Sequence, residues 1–82
     1  MQAIQKARRK LRVYQGRRAA LATVAFSGTE LAAVRLEARV GAKRLATELV
    51  VTRQYVYQLE RDVSVTPTAA DRYLTALERI IA

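Results

Sequence analysis

The chain contains no cysteine and no histidine. Disulfides, thiol catalysis, imidazole general bases and zinc sites of the usual Cys/His kind are therefore excluded. Its two serines, Ser27 and Ser64, lie in no nucleophile motif. We therefore expect no enzymatic activity, no metal site and no cofactor.

Signals for strands and for membrane spans are missing as well. The chain has no Asn-Gly or Asp-Gly hairpin signal and no strict alternation of apolar and polar residues, so the pattern predicts an all-α fold. Its longest apolar run, within residues 19–26, is broken at Thr23 and is far shorter than the roughly 18 residues of a membrane span. The 82 residues are enough for one small domain. We expect a cytoplasmic protein with no small-molecule ligand.

Acidic residues are missing from the first third of the chain. Residues 1–26 hold seven basic residues and no acid, whereas residues 27–82 hold eight basic and seven acidic residues, so the second part contributes only +1 to the net charge of +8. This asymmetry indicates a basic N-terminal helical arm (1–26) beside a globular body (27–82). The charge favours a polyanionic partner, either nucleic acid or an anionic membrane surface.

Apolar spacing and capping residues predict the helices. In the arm, Ile4, Ala7, Leu11 and Tyr14 form one helix face that runs to about Gln15. Gly16 permits a break, so the arm is either one bent helix or two short ones. The arm is expected to precede a compact helix-turn-helix bundle of four to five helices, at about 28–39, 42–49, 53–61 and 67–81.

The starts of three of these helices rest on specific caps. Ser27 and Glu30 match a capping box, Thr52 is an N-cap, and Thr66 precedes Pro67 as an N-cap and first helical residue. Gly41 is expected to close the turn after the first body helix. The apolar positions of the body that face inward are predicted to be core: Leu31, Leu45, Ala46, Leu49, Val51, Val56, Leu59, Tyr73, Leu74, Leu77, Val34, Ala38 and either Ile80 or Ile81.

The helices 42–49 and 53–61 are separated only by Val50-Val51-Thr52, which is helix-turn-helix spacing. The stretch from Arg35 through Leu45-Ala46 and Leu59-Glu60-Arg61 to Pro67 resembles the Cro/CI-type (XRE-like, lambda-repressor-like) helix-turn-helix family. This resemblance implies a sequence-specific transcriptional regulator, of the phage or bacterial repressor type, that binds a palindromic operator in double-stranded DNA as a homodimer. Val50 replaces the family's usual turn glycine, and Ala42 replaces its usual glutamine.

The resemblance makes residues 53–61 the recognition helix. Its base-reading residues are then Arg53, Gln54 and Gln58, because Arg suits guanine and Gln suits adenine in the major groove. Thr52, Tyr55 and Tyr57 are further candidates for DNA contact, although either tyrosine could instead pack on a neighbouring helix. The basic residues predicted to contact phosphates are Lys43, Arg44, Lys6, Arg8, Arg9, Lys10, Arg12, Arg17 and Arg18. Arg35 and Glu60 match a structural charged pair of the family.

Two other classes of function fit the sequence. The helix-turn-helix could be a scaffold for protein interaction, as in an antitoxin or recombination accessory factor, with Tyr55, Tyr57 and the Ile4–Tyr14 face as the partner surface. Alternatively, the basic amphipathic residues 1–26 could lie on a membrane surface. The arm could also touch the DNA backbone, enter the minor groove, or pack on the body or on a second subunit.

Overall fold

The computed structural model describes residues 2–16 and 26–82, and within the first helix it describes the side chains of residues 2–11. Within these two described ranges, five helices follow one another: α1 (Gln2–Gly16), α2 (Gly28–Glu37), α3 (Ala42–Leu49), α4 (Arg53–Arg61) and α5 (Pro67–Ile81). The predicted all-α class is confirmed. In the part of the chain that is described, the nearest thing to a sheet is one isolated antiparallel bridge between Phe26 and Val65. Whether the first helix continues beyond Gly16 lies outside the described residues.

The predicted caps begin the helices of the body. Ser27 Oγ accepts a hydrogen bond from the Glu30 amide at 3.2 Å, and the Glu30 carboxylate accepts one from the Ser27 amide at 3.4 Å. Thr52 and Thr66 cap α4 and α5 in the same way, through the amides three residues on. Each cap satisfies an amide that the helix itself leaves without an acceptor.

The end of α2 differs from the prediction. The helix stops at Glu37 instead of residue 39, and Arg39 takes the left-handed conformation with φ 58°. Gly41 has φ −72° and is the N-cap of α3. The turn is therefore made by Arg39, and Gly41 does not need the conformational freedom of glycine.

A single hydrophobic core joins all five helices. Its centre is α5, where Tyr73, Leu74 and Leu77 have no exposed surface. The prediction of Val51 as core is wrong, since 37% of its surface is exposed. Leu49 and Ala38 are only half-buried at the edge of the core. Of the two isoleucines at the end of α5, Ile80 packs against the core and Ile81 is exposed.

The helix predicted as an arm packs on the body. Ile4, Ala7 and Leu11 are buried in the same core as the residues of α5. Within the described part of the chain, α1 contacts α2 and α5 and has no contact with α3 or α4. Because α2 and α5 lie between them, α1 and the helix-turn-helix occupy different sides of the bundle.

Candidate nucleic-acid interface

The helix-turn-helix consists of α3, a three-residue turn and α4. Val50 ends α3 in the left-handed conformation, with φ 59° and ψ 46°, and its amide donates to the carbonyl of Thr47 at 3.2 Å. The Val51 amide donates to the carbonyl of Ala46 at 3.0 Å. These bonds close the end of α3 in the manner of a helix C-cap. Thr52 then starts α4, so each residue of the turn has a defined structural role.

One side of α4 is anchored and the other is open. Val56 is fully buried and Leu59 nearly so, and both pack in the core. The predicted base readers Arg53, Gln54 and Gln58 are all exposed. At 100° per residue Gln54 and Gln58 lie opposite Val56 and Leu59, and Arg53 lies on the adjacent flank at the start of the helix. The three side chains are therefore all open to solvent near the N-terminal end of α4.

The two tyrosines of α4 lie in different surroundings. Tyr57 is 44% exposed, and the helical period places it between Arg53 and Gln58 on the open side. Tyr55 is 45% exposed and lines a small groove together with Val51 and Ala69. Tyr57 thus shares the surface of the base readers, whereas Tyr55 lies on the flank of α4 that faces α5.

The far end of α4 is held by a buried charged cluster. Arg35 donates from Nε to Glu60 Oε2 at 2.7 Å, from Nη2 to Glu60 Oε1 at 3.0 Å, and from Nη1 to the Val40 carbonyl at 3.0 Å. Tyr73 donates its hydroxyl to Glu60 Oε2 at 2.5 Å. The resemblance predicted the Arg35–Glu60 pair, and the structure confirms it. Tyr73 was expected to be core, and its polar role in this cluster was not predicted.

The ionisation of this cluster follows from its contacts. The hydrogen bonds that Arg35 donates to Glu60 raise the pKa of Arg35, an effect that outweighs the burial of the guanidinium. Burial raises the pKa of the Tyr73 hydroxyl, and the neighbouring Glu60 carboxylate raises it further. The charged Arg35 guanidinium and the neutral Tyr73 phenol therefore both donate to Glu60, and each donor of the cluster is aimed at an acceptor. This arrangement fixes α4 against both α2 and α5.

Gly28 brings α2 against the end of α4. A side chain there would place its Cβ only 2.2 Å from the carbonyl oxygen of Leu59 and 2.4 Å from the carbonyl carbon of Glu60. The Gly28 amide also donates to the carbonyl of Asp62 at 2.7 Å. Sequence reasoning missed this contact, because a glycine at the first position of a helix gives no local sign of a distant backbone neighbour.

The predicted phosphate-binding residues of α3 lie at its first turn. Lys43 and Arg44 are exposed, while Ala42 beside them is buried. A glutamine at position 42 would have to enter the core, which explains the small residue at this position. The N-cap Gly41 provides no side-chain acceptor, so the first amides of α3 are open beside the two cations.

The cations of α1 differ in their surroundings. Arg8 pairs with Asp71 and with Glu78 at 2.7 Å, and it also donates to Thr75 at 2.6 Å. Burial lowers the pKa of the Arg8 guanidinium, but the hydrogen bonds and charges of Glu78 and Asp71 outweigh it, so the pKa is raised. Lys6 and Arg9 are exposed. The side chain of Arg12, and Arg17 and Arg18 as a whole, lie outside the described residues.

Lys10 joins α1 to α2. Its ammonium contacts Glu30 at 2.5 Å and lies 5.2 Å from the ring centroid of Phe26. Burial alone would raise the pKa of Glu30, but the hydrogen bonds from Lys10 and Ser27 outweigh it and the pKa is lowered. Glu30 is thus a carboxylate that both caps α2 and holds α1.

The burial of α1 also affects the two alternative functions. The membrane alternative needs the Ile4–Tyr14 face to be open to lipid, whereas the protein-interaction alternative uses this face together with Tyr55 and Tyr57, which are exposed. Ile4, Ala7 and Leu11 are covered by the body, so this surface is not available in the described structure.

None of the described helices is long and apolar enough to cross a membrane. The described residues also contain no group of three or more carboxylates placed to hold a metal ion.

Comparisons with protein-family models, with curated proteins and with solved structures find no match for the chain.

Proposed function

We propose that the protein binds double-stranded DNA by placing the N-terminal half of α4 in the major groove. The observation that carries this proposal is the surface of Arg53, Gln54, Tyr57 and Gln58, which is polar, exposed and fixed to a helix whose other side is buried. A major groove about 12 Å wide admits one α-helix, and its base edges are reached by side chains of this length.

The chemistry of these side chains suits base recognition. Arg53 lies at the tip of α4, and its guanidinium can donate two hydrogen bonds to O6 and N7 of guanine. Gln54 and Gln58 are one helical turn apart, and a glutamine amide pairs with N6 and N7 of adenine. Tyr57 lies between Arg53 and Gln58 around the helix, and it can contact a thymine methyl group or a phosphate. The proposed target site therefore contains both G·C and A·T base pairs, separated by only a few base-pair steps.

The open first turn of α3 supports the same placement. Lys43 and Arg44 lie beside amides that have no side-chain cap, and phosphates favour both cations and open helix N-termini. In helix-turn-helix proteins the first helix of the pair crosses the backbone while the second enters the groove. Lys43 and Arg44 would fix the register of the protein on the duplex without reading its sequence.

The biological role we propose is transcriptional regulation, as a repressor of the Cro/CI type acting at a palindromic operator. This finer proposal rests on the sequence resemblance, and the buried Arg35–Glu60 pair is the part of that resemblance with a structural counterpart. A repressor acts by occupying DNA that polymerase needs, so a rigid α4 on a stable bundle is sufficient for it.

The experiment begins with selection of bound sequences from random duplex DNA. Binding to the preferred duplex is then measured by fluorescence anisotropy for Arg53→Ala and Gln54→Ala. Each change should cost about 1–3 kcal/mol and relax the preference at one or two base pairs. The matched controls are Arg79→Ala on α5 and Gln2→Ala on α1, both exposed. Wild-type affinity in the α4 variants, or equal losses in the controls, would refute the assignment of α4.

A further inference from the structure

The outer side of α2 is apolar, although nothing in the described structure covers it. Leu31 and Val34 face the core, as expected for a helix on a bundle. On the other side Ala33 is exposed, Ala32 is half-buried and Leu36 is 64% exposed. Thr29 and Glu37 are also exposed on α2, so Leu36 and the two alanines form an apolar patch with a polar border. An exposed apolar patch with a polar border is typical of an interaction surface.

A groove runs beside this surface, between α1 and α2. It has a volume of about 710 Å³, and its apolar lining includes Ala3, Ala7, Phe26, Ala33 and Val34. Small residues dominate this lining, so the groove can admit a large apolar side chain from another surface. Leu36 adjoins it on α2, one turn from Ala33.

The two walls of the α1–α2 groove carry opposite charges. Lys6 and Arg9 belong to the α1 wall, and Glu37 belongs to the α2 wall. All three are exposed. Between them, Lys10 and Glu30 already pair across the groove at 2.5 Å. The acidic α2 wall, with Glu37 and Glu30, would repel a polyanion from this groove.

Such a surface is complementary to itself. In a two-fold symmetric interface both subunits use the same surface patch. Every contact between a residue of one subunit and a residue of the other therefore occurs twice. A second copy would set its acidic α2 wall against the basic α1 wall of the first, and the reverse contact would follow by symmetry. We propose that the protein forms a homodimer through the α1–α2 groove, with Leu36 of each copy entering the groove of the other.

The test is sedimentation equilibrium over a range of concentrations without DNA. The wild type should reach twice the 9.2 kDa mass of the chain. Leu36→Glu should raise the dissociation constant at least roughly 30-fold, because the change places a charge in the centre of a desolvated contact. The control is Val63→Glu, an exposed apolar residue (89% exposed) in the connection between α4 and α5, which should leave the constant unchanged. A wild-type monomer, or a dimer indifferent to Leu36→Glu, overturns the proposal.

A charge exchange tests the same interface without altering its apolar part. Lys6→Glu and Glu37→Lys should each weaken the dimer, since like charges then meet across both halves of the interface. The double variant restores the pairing and should return the dissociation constant to that of the wild type. If the losses of dimer affinity caused by Lys6→Glu and Glu37→Lys simply add in the double variant, the two residues do not pair across the interface and this arrangement is contradicted. If circular dichroism shows that Leu36→Glu does not fold, Leu36→Ala replaces it in the sedimentation experiment and should also weaken the dimer. Because DNA is absent, none of these outcomes depends on the proposed DNA binding.

Discussion

The Arg35 guanidinium and the Glu60 carboxylate form a two-armed ion pair that joins the last turn of α2 to the last turn of α4. The side chains are only 10% and 8% exposed. Buried pairs of this kind contribute little net stability, but they become costly when one partner is lost. The pair therefore fixes the position of α4. Its presence can be tested by measuring the stability that is lost when one of the two partners is removed.

Glu60→Ala should lower the free energy of unfolding by about 3–5 kcal/mol, because it leaves the Arg35 charge buried without its partner. Urea unfolding followed by circular dichroism measures this loss. The control is Glu48→Ala, an exposed carboxylate on α3, which should change stability by no more than about 0.5 kcal/mol. Equal effects of the two substitutions would show that burial of the pair is unimportant.

Replacing the pair by apolar residues should recover only part of that loss. Arg35→Met with Glu60→Leu removes both charges, but it leaves the Tyr73 hydroxyl without the acceptor that it uses at 2.5 Å. A buried polar group without a partner costs about 1–3 kcal/mol. Adding Tyr73→Phe should therefore stabilise the double variant, although in the wild type the same change removes a hydrogen bond. A destabilising effect of Tyr73→Phe in both backgrounds contradicts this account.

The two described turn glycines provide a matched test of close packing. Gly28→Ala should destabilise by more than about 1 kcal/mol, because its Cβ would meet the Leu59 carbonyl oxygen at 2.2 Å and the backbone must shift. Gly41→Ala should be close to neutral: no atom lies within 4 Å and φ is −72°, so the restriction of the unfolded chain is a gain, but alanine is a poorer N-cap than glycine. Thermal midpoints of both variants decide this. A tolerated Gly28→Ala would mean that α2 and α4 are farther apart.

Val50→Gly should be neutral, or stabilise the protein by up to about 1 kcal/mol. Val50 has φ 59° and is 88% exposed, so glycine relieves a left-handed β-branched residue and removes little packing. Val63→Gly is the control, since Val63 is equally exposed and its φ is not positive. That change should destabilise by about 0.4–1 kcal/mol, because it only adds freedom to the unfolded chain. A drop in thermal midpoint for Val50→Gly would contradict the left-handed turn.

Features determined by nearby residues were predictable from the sequence. Ser27 with Glu30, Thr52, and Thr66 with Pro67 fixed the starts of α2, α4 and α5, because each cap acts on an amide three residues away. The left-handed residue at position 50 was anticipated from its place in the helix-turn-helix pattern. The exposed cluster of Arg53, Gln54 and Gln58 followed from helical period once the buried positions of α4 were known.

Features determined by distant residues were not predictable in the same way. The pairing of Arg8 with Asp71 and Glu78 joins residues more than 60 positions apart, and a count of charges cannot reveal it. The contact of Gly28 with the end of α4 is equally non-local. Val51 was misplaced because the left-handed Val50 redirects the chain, so the helical period of α3 no longer applies after Leu49.

The cations of α1 lead to a prediction that separates its structural role from DNA binding. The sequence alone favoured phosphate contacts, which would make the salt dependence of binding fall when α1 loses charge. In the structure α1 packs on α2 and α5, away from α3 and α4, and Arg8 is engaged by carboxylates of α5. We therefore expect its apolar residues to determine stability, and its exposed cations Lys6 and Arg9 to make no contact with DNA phosphates.

Two pairs of neutralising substitutions test this expectation. Lys43→Gln with Arg44→Gln should lower the slope of log K against log salt by nearly two, since each phosphate contact contributes about 0.9. Lys6→Gln with Arg9→Gln removes the same charge from α1 and should leave the slope nearly unchanged. Ile4→Ala should cost about 2–5 kcal/mol of folding stability, because the side chain is 3% exposed and leaves a cavity. Suppose instead that both double variants lowered the slope of log K against log salt equally and that the Ile4→Ala protein were as stable as the wild type. This result would show that α1 contacts the DNA backbone, as the sequence alone predicted.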